Sequence, residues 1–199
     1  IANGAFRRCI GLTSIIVDEG NTVYDSRGNC NALIETATNR LIIGCNNTII
    51  PDDVTSISDY AFYGCNAFES IIIPSGVTTI GQNAFEECIS LESIELPESV
   101  RSIGKAAFYN CSALKSIEIP DSVTILNDFL FDGCSSLASV RIPSTVTSIN
   151  VQVFNNCSSL TSIRIPAGVT RIGNLAFGGC SSLVGIISLI PADKLFRIV

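Results

Sequence analysis

Apolar and polar positions along the chain recur with a period of 23 residues. Phe62, Phe85, Phe108, Phe131, Phe154 and Phe177 keep that step, and so do Cys65, Cys88, Cys111, Cys134, Cys157 and Cys180. Leu91, Leu114, Leu137, Leu160 and Leu183 follow it too, with Phe68 in the equivalent place. The unit reads A-F-x-x-C-x-x-L-x-S-I-x-I-P-x-x-V-T-x-I-G-x-x. A self-similar period of this length marks a solenoid, in which each unit buries its apolar side chains only against its neighbours.

The unit predicts its own elements. L-x-S-I-x-I, as in residues 114–119, alternates and is rich in β-branched residues, which reads as a strand. The proline after it (Pro74, Pro97, Pro120, Pro143, Pro166) has no N–H for a ladder, so it ends the strand and turns the chain. V-T-x-I predicts a second, shorter strand. G-x-x-A-F-x-x-C returns the chain through a short 3₁₀ turn beneath the Phe. Gly81, Gly104 and Gly173 recur with the period and read as turn glycines, not as a phosphate cradle. Strands are expected around Ile15, Ile49, Ile71, Ile94, Ile117, Val140, Ile163 and Ile186. The expected fold is an α/β-type repeat that is mostly β, a right-handed solenoid with a parallel β-sheet and short 3₁₀ turns.

The period breaks once. Phe6 and Phe62 lie 56 residues apart, two periods plus ten. Two apolar runs, 30–35 and 40–45, flank Thr36-Ala37-Thr38-Asn39 and predict an inserted β-hairpin. The expected organisation is one solenoid over 1–199: a partial first repeat at 1–17, an irregular unit at 18–50, regular repeats at 51–187, and a decayed end at 188–199. The chain contains no Met, and Ile1 falls inside a repeat, as expected of a piece of a longer protein.

These motifs carry a resemblance. The repeated A-F-x-x-C-x-x-L-x-S-I-x-I-P-x-x-V-T-S-I-G, together with the divergent stretch at 19–45, is similar to the BspA-like class of bacterial leucine-rich repeats. That resemblance implies a leucine-rich-repeat solenoid from a secreted or surface-anchored bacterial protein. It also implies adhesion to host matrix proteins or to other cell surfaces. Because the shared residues are scaffold, it transfers no binding residues.

Composition narrows the chemistry. Hydrophobic residues make up 47% of the chain and charged ones 15%, which predicts a substantial buried core. A net charge of −6 argues against nucleic acid, whose recognition needs clustered Lys and Arg. No apolar run reaches the ~20 residues of a membrane span. There is no His, so no Ser–His or Cys–His pair can form, and the expectation is a chain that is not an enzyme, with no cofactor and no metal. The nine cysteines contain no C-x-x-C pair. They read as buried free thiols, since equivalent side chains in a parallel stack point the same way.

What remains is a face. On L-x-S-I-x-I the two Ile side chains point inward and the residue between them points out. That outward row holds Ile72, Glu95, Glu118, Arg141, Arg164 and Ile187. Glu92 adds charge beside its acidic half. Glu95, Glu118, Arg141, Arg164 and Glu92 are therefore the candidate partner-binding residues, a dipolar strip for a protein partner. The rival readings are a carbohydrate-binding accessory module, with Tyr24, Tyr60, Tyr63 and Tyr109 as its aromatics, and a passive structural stalk.

Overall fold

The computed structural model describes residue 1 and residues 4–190. It shows a β-solenoid of about six turns with parallel sheets. The irregular unit contributes β1 (Tyr24–Asp25), β2 (Ala32–Glu35) and β3 (Arg40–Gly44). The regular coils then alternate short strands: β4 (Ser56–Ile57), β5 (Ser70–Ile72), β6 (Thr79–Ile80), β7 (Ser93–Glu95), β8 (Ser102–Ile103) and β9 (Ser116–Glu118). β10 (Ile125–Leu126), β11 (Ser139–Arg141), β12 (Ser148–Ile149), β13 (Ser162–Ile165), β14 (Arg171–Ile172) and β15 (Gly185–Ser188) continue the alternation.

The odd-numbered strands of the coils, on L-x-S-I-x-I, line one face. Parallel ladders join them two by two, as β5–β7, β9–β11 and β13–β15. Six of the eight expected strands are present. No strand forms at Ile15 or Ile49. β2 and β3 pair antiparallel as expected, with a bulge at Leu33/Ile34, and β1 adds a third strand. The hairpin is not simply inserted into the strand face. β3 pairs parallel with β4, so the hairpin extends the V-T-x-I sheet in the order β1-β2-β3-β4-β6-β8. Ala32, Ile34 and Leu41 join the main core. Leu33, Ile42 and Ile43 form a second small cluster on the other side, against Ile15 and Val17.

The V-T-x-I sheet resumes as β10-β12-β14, separate from β8. At that junction the Asn127 side-chain amide donates to the Ile103 carbonyl (2.7 Å), where Gly81 and Gly104 instead donate a backbone N–H to the previous coil (2.8 Å each). The recurrent glycines serve close approach, not a turn conformation. A Cβ on Gly104 would lie 2.4 Å from the Gln82 backbone nitrogen, and one on Gly81 2.4 Å from that of Asp59.

The return segment is a series of isolated turns. Ala61, Tyr63 and Cys65 each donate to the carbonyl three residues back, while Tyr60, Phe62 and Gly64 donate to the next coil. Satisfying neighbours on both sides forces left-handed backbone at two rows. One holds Gly64, Glu87, Asn110, Gly133, Asn156 and Gly179; the other holds Tyr60, Asn83, Ala106, Phe129, Gln152 and Leu175, with φ between 53° and 61°. Non-glycine residues there cost about 1–2 kcal/mol each, which the inter-coil hydrogen bonds offset.

Beneath these turns runs a column of phenyl rings. Phe62, Phe85, Phe108, Phe131, Phe154 and Phe177 stack at 5.1–5.6 Å with near-parallel planes. The first five are fully buried and Phe177 is half-buried. Phe6 does not continue the column and is 46% exposed. Gly44 covers Phe62 in its place, so close that a Cβ would meet the ring at 2.1 Å.

Candidate interaction face

From β5 to β13 the middle residue of each strand on this face (Ile71, Ile94, Ile117, Ile163) is buried, with Val140 half-buried, and the next residue is exposed, whereas on β15 both Ile186 and Ile187 are exposed. The period-2 alternation of a pleated strand therefore puts Ile72, Glu95, Glu118, Arg141, Arg164 and Ile187 in one outward row. Register fixes their neighbours: Ile72 beside Glu95, Glu118 beside Arg141, and Arg164 beside Ile187. Ile72 is 85% exposed. The serines before the inward residues (Ser93, Ser116, Ser139, Ser162) are small and exposed, so the charged row stands above them.

The charges do not pair as simple adjacency suggests. Arg141 turns away from Glu118 to meet Asp121 at 3.0 Å and the Ile119 carbonyl at 3.3 Å. Lys115 pairs with Glu92 of the preceding coil. Both pairs are solvent-exposed and worth at most about 1 kcal/mol each. Among the described residues, Glu95, Glu118 and Arg164 make no ion pair. The strip therefore has acidic groups toward one end of the stack and basic groups toward the other, with three of its four central charges uncommitted.

The tyrosines lie elsewhere. Tyr60 and Tyr63 tilt against each other with centroids 6.2 Å apart, and Arg7 sits over both rings, at 4.4 and 4.8 Å. The Tyr63 hydroxyl accepts from Arg8 (3.4 Å), and that of Tyr24 from the Ile1 backbone nitrogen (2.8 Å). Ring faces occupied by a guanidinium are poor platforms for a sugar. Beside them Glu86, which accepts from Asn83, is pushed above the usual carboxylate range by burial.

The cysteines belong to the scaffold, in a way the sequence did not show. Cys88, Cys111, Cys134, Cys157 and Cys180 each donate their thiol to the carbonyl of the Phe in the preceding coil, at 3.0–3.2 Å. The same carbonyls accept a backbone N–H within their own coil, so each thiol fills a second lone pair. Burial pushes the Cys65 thiol up to about 12 and raises those of Cys88, Cys111 and Cys134 well above the ordinary thiol range. All nine cysteines are free. The recurrent threonines are also engaged: Thr78, Thr147 and Thr170 donate their hydroxyls to the threonine carbonyl one coil back.

Among the described residues no helix is long and apolar enough to cross a membrane. The family model for the BspA type leucine rich repeat region matches in six copies over residues 55–184. No curated protein matches the chain. Several solved structures resemble it. The T. pallidum leucine rich repeat protein is 29% identical with a TM-score of 0.70, over 81% of this chain and 87% of that one. A leucine-rich repeat protein from Eubacterium ventriosum is 27% identical with a TM-score of 0.73, over 96% of this chain and 57% of its own. A leucine rich cell surface protein from Faecalibacterium prausnitzii is 28% identical with a TM-score of 0.63, over 90% and 56% respectively. The chain thus spans little more than half the length of the last two.

Proposed function

This chain belongs to the BspA-type leucine-rich-repeat family, and from that premise we propose that it is a non-enzymatic protein-recognition or adhesion module of a bacterial surface or secreted protein. One similar structure is described as a cell surface protein, which supports the location. The observation that carries the reading is the outward row Glu95, Glu118, Arg141 and Arg164, with Glu92 beside it. Strand pairing sets this row in register two coils at a time, and most of its charge is left unpaired. A preset charge pattern of this kind favours one orientation of a partner and speeds encounter more than it adds raw affinity. The partner class is a protein, either a host matrix component or another cell surface.

The test is binding of the protein to an array of host matrix proteins and glycans. It is followed by the variant carrying Glu95→Arg, Glu118→Arg, Arg141→Glu and Arg164→Glu. The expected result is a protein ligand whose affinity falls at least about tenfold in the folded variant and loses its salt dependence. Unchanged affinity moves recognition to another face. Binding to glycans alone replaces the reading with a carbohydrate module, and binding to nothing leaves the passive stalk.

A further inference from the structure

The outward row is self-complementary when reversed. Read along the stack it runs Ile72, Glu95, Glu118, Arg141, Arg164, Ile187, all exposed. Turned end over end, each acid meets a base and each terminal isoleucine meets the other. We propose that this face also binds a second copy of the chain, strand face to strand face, with the two solenoids antiparallel. The proposal rests on the same face serving recognition.

A two-fold axis parallel to the strands, passing between Glu118 and Arg141, produces the match. Because every coil repeats the same geometry, that axis sets coil opposite coil. Glu118 then faces Arg141 of the second copy, Glu95 faces Arg164, and Ile72 faces Ile187. This is an isologous contact, the arrangement of most dimers. The flanking rows raise no objection: Glu92 would face Thr161, Lys115 would face Ala138, Glu98 would face Ala167, and Asp121 would face Ser144. The alternative two-fold, along the stack, sets every charge against its own equivalent and is disfavoured by four like-charge contacts. The Arg141–Asp121 pair is exposed on both sides, so Arg141 can be shared at little cost.

Size sets the expected strength. Six coils at about 4.8 Å, each presenting about five residues (its short strand and the flanking positions), cover roughly 400–500 Å² per copy, at the weak end of specific interfaces. Association is therefore expected in the range of about 10 µM to 1 mM at low salt, fading as salt screens the charges.

Sedimentation equilibrium over that range tests it. Glu95→Arg with Glu118→Arg makes an all-basic strip, and Arg141→Glu with Arg164→Glu an all-acidic one. Each is expected to weaken self-association by about tenfold or more, and mixing the two is expected to restore a 1:1 dimer. Restoration cannot come from misfolded chains. The fourfold reversal keeps the pattern self-complementary, so it is expected to dimerise like the wild type even where it loses a foreign ligand, which separates this proposal from the previous one. A wild-type chain that stays monomeric to about 1 mM, double variants that dimerise normally, or a mixture that fails to associate would each overturn it.

Discussion

The regular coils and the irregular N-terminal unit solve the same problem in opposite ways. From Val77 onward each coil repeats one small set of contacts: a stacked phenyl ring, a thiol on the preceding phenylalanine's carbonyl, and a hydroxyl or amide on the backbone one coil away. No single contact dominates, and stability is a sum of nearest-neighbour interactions. The irregular unit has no equivalent neighbour and relies on particular side chains. Gly44 replaces a phenylalanine over Phe62. Arg27 gathers Asp25 (2.6 Å), Asn39 (2.8 Å) and Asp53, tying the hairpin to the first regular coil. Repetition distributes the load, and the end of the repeat concentrates it.

The largest contrast is expected in thiol chemistry. Cys9 is exposed, whereas Cys88 to Cys157 are buried with their thiols pushed up by desolvation. In native protein Cys9 is expected to react about a thousandfold or more faster than Cys111, whose reaction waits for opening of the coil. Unfolding the unreduced protein is then expected to release all nine. Two or more disulfides by mass spectrometry would break this picture.

Next comes the phenyl column. Phe108 has a ring on each side, so Phe108→Ala is expected to cost about 3–5 kcal/mol. Half-buried Phe177 stacks on Phe154 alone among the described rings, and Phe177→Ala is expected to cost about half as much. Chemical denaturation giving equal losses would remove the stacking argument.

Glycine sharpens the comparison at the junction. Gly44→Val drives a side chain into Phe62 and is expected to cost about 1–3 kcal/mol. A Cβ on Gly185, also in a strand, meets nothing within 4 Å, so Gly185→Ala is expected to leave the melting temperature nearly unchanged.

The smallest effect is electrostatic. Arg27 holds the Asp25 carboxyl below its ordinary range. A depressed carboxylate stabilises the fold above its unfolded pKa, about 3.9, and that contribution is lost as pH falls through the lower folded value. Arg27→Ala is expected to cost about 1 kcal/mol at neutral pH and to flatten the stability profile below pH ~4. An unchanged acid limb in the variant would show that Asp25 is not coupled to folding.

The sequence by itself determined the period, the inward Phe, Leu and Ile positions, the strands from Ile71 onward and the composition of the outward row. Each follows from a 23-residue repeat and the two-residue alternation of a strand, and stacking like on like leaves no other arrangement that buries those side chains. Tertiary structure alone decided the rest. The hairpin extends the V-T-x-I sheet because Arg40 and Leu41 pair with Ser56 and Ile57, a long-range register that local pattern does not encode. Ile15 lies in an L-x-S-I-x-V stretch yet forms no strand, and Ile49 falls at the outward position of C-N-N-T-I-I, where Thr48 stands in place of the inward Ile. The cysteines from Cys88 to Cys180 donate to carbonyls 26 residues back, and non-glycine residues accept left-handed backbone, because adjacent coils supply their hydrogen-bond partners. Arg141 leaves Glu118 for Asp121 because a long, exposed side chain takes whatever acceptor its rotamer reaches. Periodicity specifies which residues recur, whereas the contacts between coils depend on how closely two backbones approach.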